Sequence, residues 1–93
     1  MESELHCFQI KITGKVQGVW FRDSTLKKAK ELGVKGFVEN QSDGSVYIEA
    51  EGTKSVLDEF TKWCHEGPPF AKVENVAISD MELTYFDKFK IVW

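Results

Sequence analysis

The sequence predicts an α+β domain of the ferredoxin-like, split β-α-β class: elements in the order βαββαβ, a C-terminal strand after them, a mostly antiparallel sheet, and both helices on one face. Three observations carry this. Apolar residues alternate with a period of two in several short runs, two further runs repeat at helical spacing, and glycine-containing turn sequences separate them. The 93 residues, 42% hydrophobic and 13% aromatic, suffice for one domain, read as residues 1–93, with a core of its own.

Leu5 to Ile12 sets Phe8, Ile10 and Ile12 against Cys7, Gln9 and Lys11, the alternation of a half-buried first strand. The loop Thr13-Gly14-Lys15-Val16-Gln17-Gly18-Val19 follows, with two glycines four apart. Phe21, Thr25, Leu26, Ala29 and Leu32 then form one stripe of a helix, which Gly33 ends as a C′ residue. Val34 to Asn40 reads as the second strand. Gln41-Ser42-Asp43-Gly44 supplies turn chemistry, and Val46, Ile48 and Ala50 alternate with outward Tyr47, Glu49 and Glu51 in the third. Gly52 and Thr53 break that strand, and Ser55 with Asp58 forms a capping box for a helix striped by Val56, Leu57, Phe60, Trp63 and Cys64. Gly67-Pro68-Pro69 stops it. A fourth strand runs from Val73 to Ile78, and a last from Phe86 to Val92 with Phe89 and Ile91 inward.

Twelve basic against fifteen acidic side chains leave a net charge of −3, which argues against nucleic acid as a partner. The acidic start Met1-Glu2-Ser3-Glu4 is unlike a signal peptide, and no apolar run approaches the roughly 18 residues of a membrane span, so a cytoplasmic protein is expected. Cys7 and Cys64 lack any C-x-x-C spacing and read as buried thiols; neither is followed six residues later by the arginine of a cysteine-phosphatase loop. His6 and His65 belong to no metal motif, and no Walker loop is present. No metal site is expected from these spacings. The segment Lys35-Gly36-Phe37-Val38 begins like an RNA-binding motif but continues as Glu39-Asn40-Gln41, without further aromatics to stack bases.

The loop between the first strand and first helix is the informative segment. From Gly14 to Arg22 it holds no acidic residue, and it delivers the chain to a helix N-terminus, where backbone N–H groups and the helix dipole favour an anion. Arg22 stands at the helix start, and a guanidinium grips two phosphate oxygens as a fork. By pattern alone a second account stays open, in which the glycines serve a tight turn and Arg22 pairs with Asp23 or Glu39.

The run Gly14-Lys15-Val16-Gln17-Gly18-Val19-Trp20-Phe21-Arg22 resembles the first signature of the acylphosphatase family, G-x-V-Q-G-V-x-[FY]-R, at every specified position. Gly36-Phe37-Val38-Glu39-Asn40, with Gly44, Val46 and Gly52 beyond, is similar to the second. Glu39 departs from it, since the family usually has a basic or uncharged residue before the asparagine. The resemblance spans essentially the whole chain and implies this fold, together with hydrolysis of the carboxyl–phosphate bond of acyl phosphates without metal or organic cofactor. It also implies roles by position: Arg22 binds phosphate, Asn40 orients the attacking water, and Gln17, Gly18, Val19, Trp20 and Phe21 supply cradle amides, flanked by Lys15 and Val16.

Such a sparse set is chemically sensible, because a carboxylate of conjugate-acid pKa near ~4 leaves without a general acid. A non-catalytic, phosphate-binding regulatory module of the same fold is the alternative reading, and nothing in the sequence demands a dimer. Glu39 neighbours Asn40 on a strand and is expected on the opposite face. Trp20 either lines the pocket entrance or covers the core. Trp93 falls on the inward register of the last strand, with no role assigned.

Overall fold

A computed structural model of the protein describes residues 4–93; the acidic start Met1-Glu2-Ser3 lies outside them. The elements are β1 (Leu5–Lys15), α1 (Phe21–Leu32), β2 (Lys35–Asn40), β3 (Val46–Thr53), α2 (Lys54–Glu66), β4 (Lys72–Met81) and β5 (Phe89–Val92). They build a five-stranded sheet in the order β4-β1-β3-β2-β5, antiparallel except for the β2–β5 pair. The expected α+β class and element order are therefore those of the molecule.

Register explains the core. Ile78, Ile10, Ile48, Val38 and Ile91 stand opposite one another across all five strands, forming one apolar row on the face the helices cover. The adjacent row toward the hairpin end runs Val76, Ile12, Val46, Asn40, so Asn40 is the polar member of a row that is otherwise core. Leu57, Phe60 and Cys64 of α2 and Phe21 and Ala29 of α1 are buried against this face. α1 lies over β2 and β5, and α2 over β1, β3 and β4. The two helices meet where the Phe21 and Trp63 rings tilt together, 5.6 Å between centroids.

Several boundaries differ from the sequence reading, each for a physical reason. β1 continues to Lys15, because Gly14 sits at a bulge where β4 presses close: a Cβ there would lie 2.2 Å from the Lys72 carbonyl oxygen. β3 runs through Gly52 and Thr53, which pair with His6 and Leu5. Gly52 does not break the strand; it makes room for Val56 of α2, whose Cγ2 would be 2.9 Å from a Cβ. The N-cap of α2 is Thr53, without a side-chain cap bond, so Ser55 and Asp58 lie inside the helix and do not form the expected capping box. Asp58 instead accepts a hydrogen bond from Lys54 at 2.8 Å. In the hairpin, Gly44 N–H donates to the Gln41 carbonyl, placing Ser42 and Asp43 at the centre of the turn and Gly44 after it at φ 93. β4 is longer than expected, while β5 is shorter and begins at Phe89.

The shortening of β5 follows from Glu51. Expected to face outward, it is only 4% exposed, because the segment before β5 folds over it. Its carboxylate accepts three backbone hydrogen bonds: from Thr84 N–H at 2.7 Å, Tyr85 N–H at 3.1 Å and Phe86 N–H at 2.8 Å. Three amides that could have continued a strand are thus spent on one side chain, and Tyr85 takes φ 60 to present its own. The same segment buries Cys7, opposite Glu51 in the β1–β3 register. Burial, aided by the charges of Glu51 and Glu49, pushes the Cys7 thiol up to about 11. Burial likewise raises the Cys64 thiol. Both cysteines are buried and free, as expected.

Removing the Glu51 carboxylate leaves three amides without their acceptor. Glu51→Ala is expected to lower the free energy of unfolding by about 3 kcal/mol, and Glu51→Gln, which keeps one oxygen, by less. Urea midpoints test this; an alanine variant within about 0.5 kcal/mol of the parent would contradict it.

Candidate active site

The segment joining β1 to α1 is fixed by what it buries. Val16, Val19 and Phe21 all point into the core. Between these anchors Gly18 takes φ 73 and Trp20 φ 66, while Val19 between them keeps a negative φ. Alternating signs turn successive N–H groups toward the same side, the geometry of an anion nest. The first bond of α1 runs from Ser24 N–H to the Trp20 carbonyl at 3.0 Å, so the amides of Phe21, Arg22 and Asp23 precede the helical ladder. No side chain caps them, since the N-cap is Trp20. Unpaired amides and the positive end of the helix dipole therefore face one space.

That space is a cleft of about 210 Å³. Val16, Gly18, Trp20, Phe21 and Arg22 line it from the loop side, Asn40 and Trp93 from the sheet, and Asp23 from the rim. Among the described residues Arg22 has no carboxylate within ion-pair distance, so neither Asp23 nor Glu39 takes its charge. Its guanidinium carbon lies 4.3 Å from the centroid of the Trp93 ring. Among the described residues no hydrogen bond engages its N–H donors. Asn40 Oδ1 is buried in the cleft wall and accepts no hydrogen bond from the described residues.

Three residues named from the sequence do not line the cleft. Lys15 is the exposed last residue of β1, paired with Lys72. Val19 is an anchor in the core. Gln17 turns toward the hairpin instead, where its Nε2 donates to the carbonyls of Gln41 and Ser45, both at 2.8 Å. It thereby ties the loop to the segment immediately after Asn40, a role the motif alone does not disclose. The hairpin is stiffened on its far side by Asp43, whose carboxylate takes Lys11 at 2.8 Å and Ser45 N–H at 2.9 Å; these partners hold it well below the usual carboxylate range. Glu39 alternates away from Asn40 to the back of the sheet, where its charge adds to burial and Glu49 in raising the Tyr47 phenol.

The two open tryptophans resolve in one direction. Trp20 is 71% exposed and lines the cleft, so it does not cover the core. Trp93, expected on the inward register, is 83% exposed. It shares the parity of Phe89 and Ile91, but it extends past the sheet beside Asn40, where the layer below is the N-terminus of α1 and not the core. Only the parallel β2–β5 register brings it there, and no short-range pattern encodes that pairing. Among the described residues no three His, Cys, Asp or Glu side chains are grouped as metal ligands would be, and no helix is long and apolar enough to cross a membrane.

The chain is similar to known proteins along most of its length. Residues 8–91 match the family model of acylphosphatase. The chain is 51% identical over 77 residues to an acylphosphatase of Mannheimia succiniciproducens, covering 83% of this chain and 86% of that one. It is 49% identical over 72 residues to one of Rubrobacter xylanophilus, covering 77% of this chain and 66% of the relative's length. The solved structure of an acylphosphatase from Coxiella burnetii superposes with a TM-score of 0.92 at 39% identity, covering 95% of this chain and 93% of that one.

The two glycines of the loop should answer differently to alanine. At Gly18 a Cβ meets nothing within 4 Å, so only the positive φ is penalised. Gly18→Ala should fold and bind inorganic phosphate about tenfold more weakly by calorimetry, as the nest relaxes. Gly14→Ala, which collides with the Lys72 carbonyl, should fail first in a thermal melt.

Proposed function

The chain belongs to the acylphosphatase family of hydrolases, and from that premise we propose that it hydrolyses the carboxyl–phosphate bond of small acyl phosphates, using Arg22 and Asn40 in the cleft at the start of α1. The observation that carries this reading is the pairing, in one cleft, of an uncommitted guanidinium with a buried, partnerless amide oxygen. The first is a grip for a dianion. The second is an acceptor for one O–H of a water.

In this mechanism the phosphoryl group rests against the amides at residues 18–22, with Arg22 donating to two of its oxygens. Asn40 Oδ1 accepts one hydrogen of the attacking water, so that a lone pair faces phosphorus in line with the scissile bond. The water oxygen bonds to phosphorus as the P–O bond to the acyl group breaks, and the electron pair leaves with the carboxylate. The water proton passes to a phosphoryl oxygen, since an amide does not titrate. Charge spreads over the equatorial oxygens of a loose transition state, where preorganised donors are most effective. Neither metal nor organic cofactor takes part. Lys15 is a solvated lysine outside the cleft, and Gln17 and Val19 act by holding the loop's shape. The protein works as a single-domain monomer in the cytoplasm, on a small molecule and not on nucleic acid.

Release of benzoate from benzoyl phosphate in the presence of a chelator tests the reading, and an inactive parent protein would sink it. Arg22→Ala should lose phosphate affinity together with about a thousandfold or more of kcat/KM. Asn40→Ala should lower kcat by roughly a hundredfold while the inhibition constant of inorganic phosphate stays within about threefold. Equal losses in both quantities would overturn the division of roles.

A further inference from the structure

The phosphoryl end of the cleft is accounted for by amides, Arg22 and Asn40, and none of these touches the acyl group. What remains at the mouth is aromatic. Trp20 and Trp93 come from opposite ends of the chain, both line the cleft, and both are largely in solvent at 71% and 83% exposure. Neither is among the buried core residues, which are aliphatic side chains, Cys64 and the four phenylalanines Phe8, Phe21, Phe60 and Phe89. Indoles leave a large apolar area in water, and their flat faces gain most when another flat apolar group covers them.

Geometry separates the two ends of a bound substrate. The Arg22 guanidinium carbon lies over the Trp93 ring, 4.3 Å from its centroid, so a phosphoryl group held by the guanidinium lies near the Trp93 indole. Trp20 is the N-cap of α1, adjacent in sequence to the amides that face the anion. An acyl group directed away from those amides lies in the cleft that both indoles line. The cleft volume of about 210 Å³ lies below the ~300–1,000 Å³ typical of drug-sized ligand pockets, which suits a phosphoryl group and one compact ring. At the rim stands Asp23, exposed and with no ion-pair partner among the described residues. Its negative charge opposes an acyl group that carries a second carboxylate.

We infer that Trp20 and Trp93 form an acyl-side subsite that selects planar, uncharged aromatic acyl phosphates over short aliphatic or anionic ones. This rests on the hydrolysis proposed above and adds the substrate class to it. Trp93 has a second effect as a positioning residue, because its ring packs on the Arg22 guanidinium; loss of that contact weakens all substrates alike and cancels in a ratio.

The test compares kcat/KM for benzoyl phosphate with that for acetyl phosphate in the parent protein and in Trp20→Ala, Trp93→Ala and the corresponding phenylalanine variants. The benzoyl-to-acetyl ratio should fall about tenfold in each alanine variant, the scale of one lost stacking partner, and recover most of its value with phenylalanine. A ratio unchanged within about twofold in both alanine variants would overturn the subsite. Because both side chains are exposed, these variants should fold, which circular dichroism checks. Binding of benzoylphosphonate and acetylphosphonate, followed by tryptophan fluorescence, reads the same selectivity without turnover. An inactive parent that still prefers the benzoyl analogue keeps the subsite and removes the hydrolysis, whereas equal binding of the two analogues removes the subsite.

Discussion

The loop between β1 and α1 has to satisfy two opposed demands: its amides must remain unpaired, and its conformation must not wander. An unpaired amide offers no internal bond to hold the chain, so the restraint comes from other groups. Val16, Val19 and Phe21 supply it from below by burial in the core. Gln17 supplies it from the side through two carbonyls of the hairpin. Everything functional inherits its placement from this arrangement, since Arg22 follows the loop into the helix and Asn40 precedes the carbonyls that Gln17 holds. A preorganised anion site of this kind costs its strain at folding and needs little rearrangement when the ligand arrives.

The fold was legible because its strands are half-buried and its helices amphipathic, conditions under which burial writes a period into the sequence. Phe8, Ile10 and Ile12, or Leu57, Phe60 and Cys64, declare their faces without reference to anything distant. Glu51 could not be read in this way. Its alternation points it outward, and only a segment 33 to 35 residues downstream turns that outward face into an interior. Gly52 misled for a related reason, because a glycine that makes room for a neighbouring helix looks locally like a strand breaker.

The site divides along the same line. The proposed cradle and Arg22 are contiguous in sequence and stand in one motif, and Asn40 stands in a second. Trp93 lay beyond reach, because its position depends on a parallel pairing between strands about fifty residues apart, for which no turn or spacing signal exists. The Gln17 side chain is intermediate: its identity belongs to the motif, but its partners are backbone carbonyls, which carry no residue-type signature.

β5 is four residues long and holds the outer edge of the sheet through pairing on one side only. Short edge strands open at free energies well below that of global unfolding. When the end of β5 frays, Trp93 leaves Arg22 while Phe89, buried against Phe60, keeps the core closed. The order of the cleft mouth therefore depends on one peripheral strand as well as on the stability of the whole.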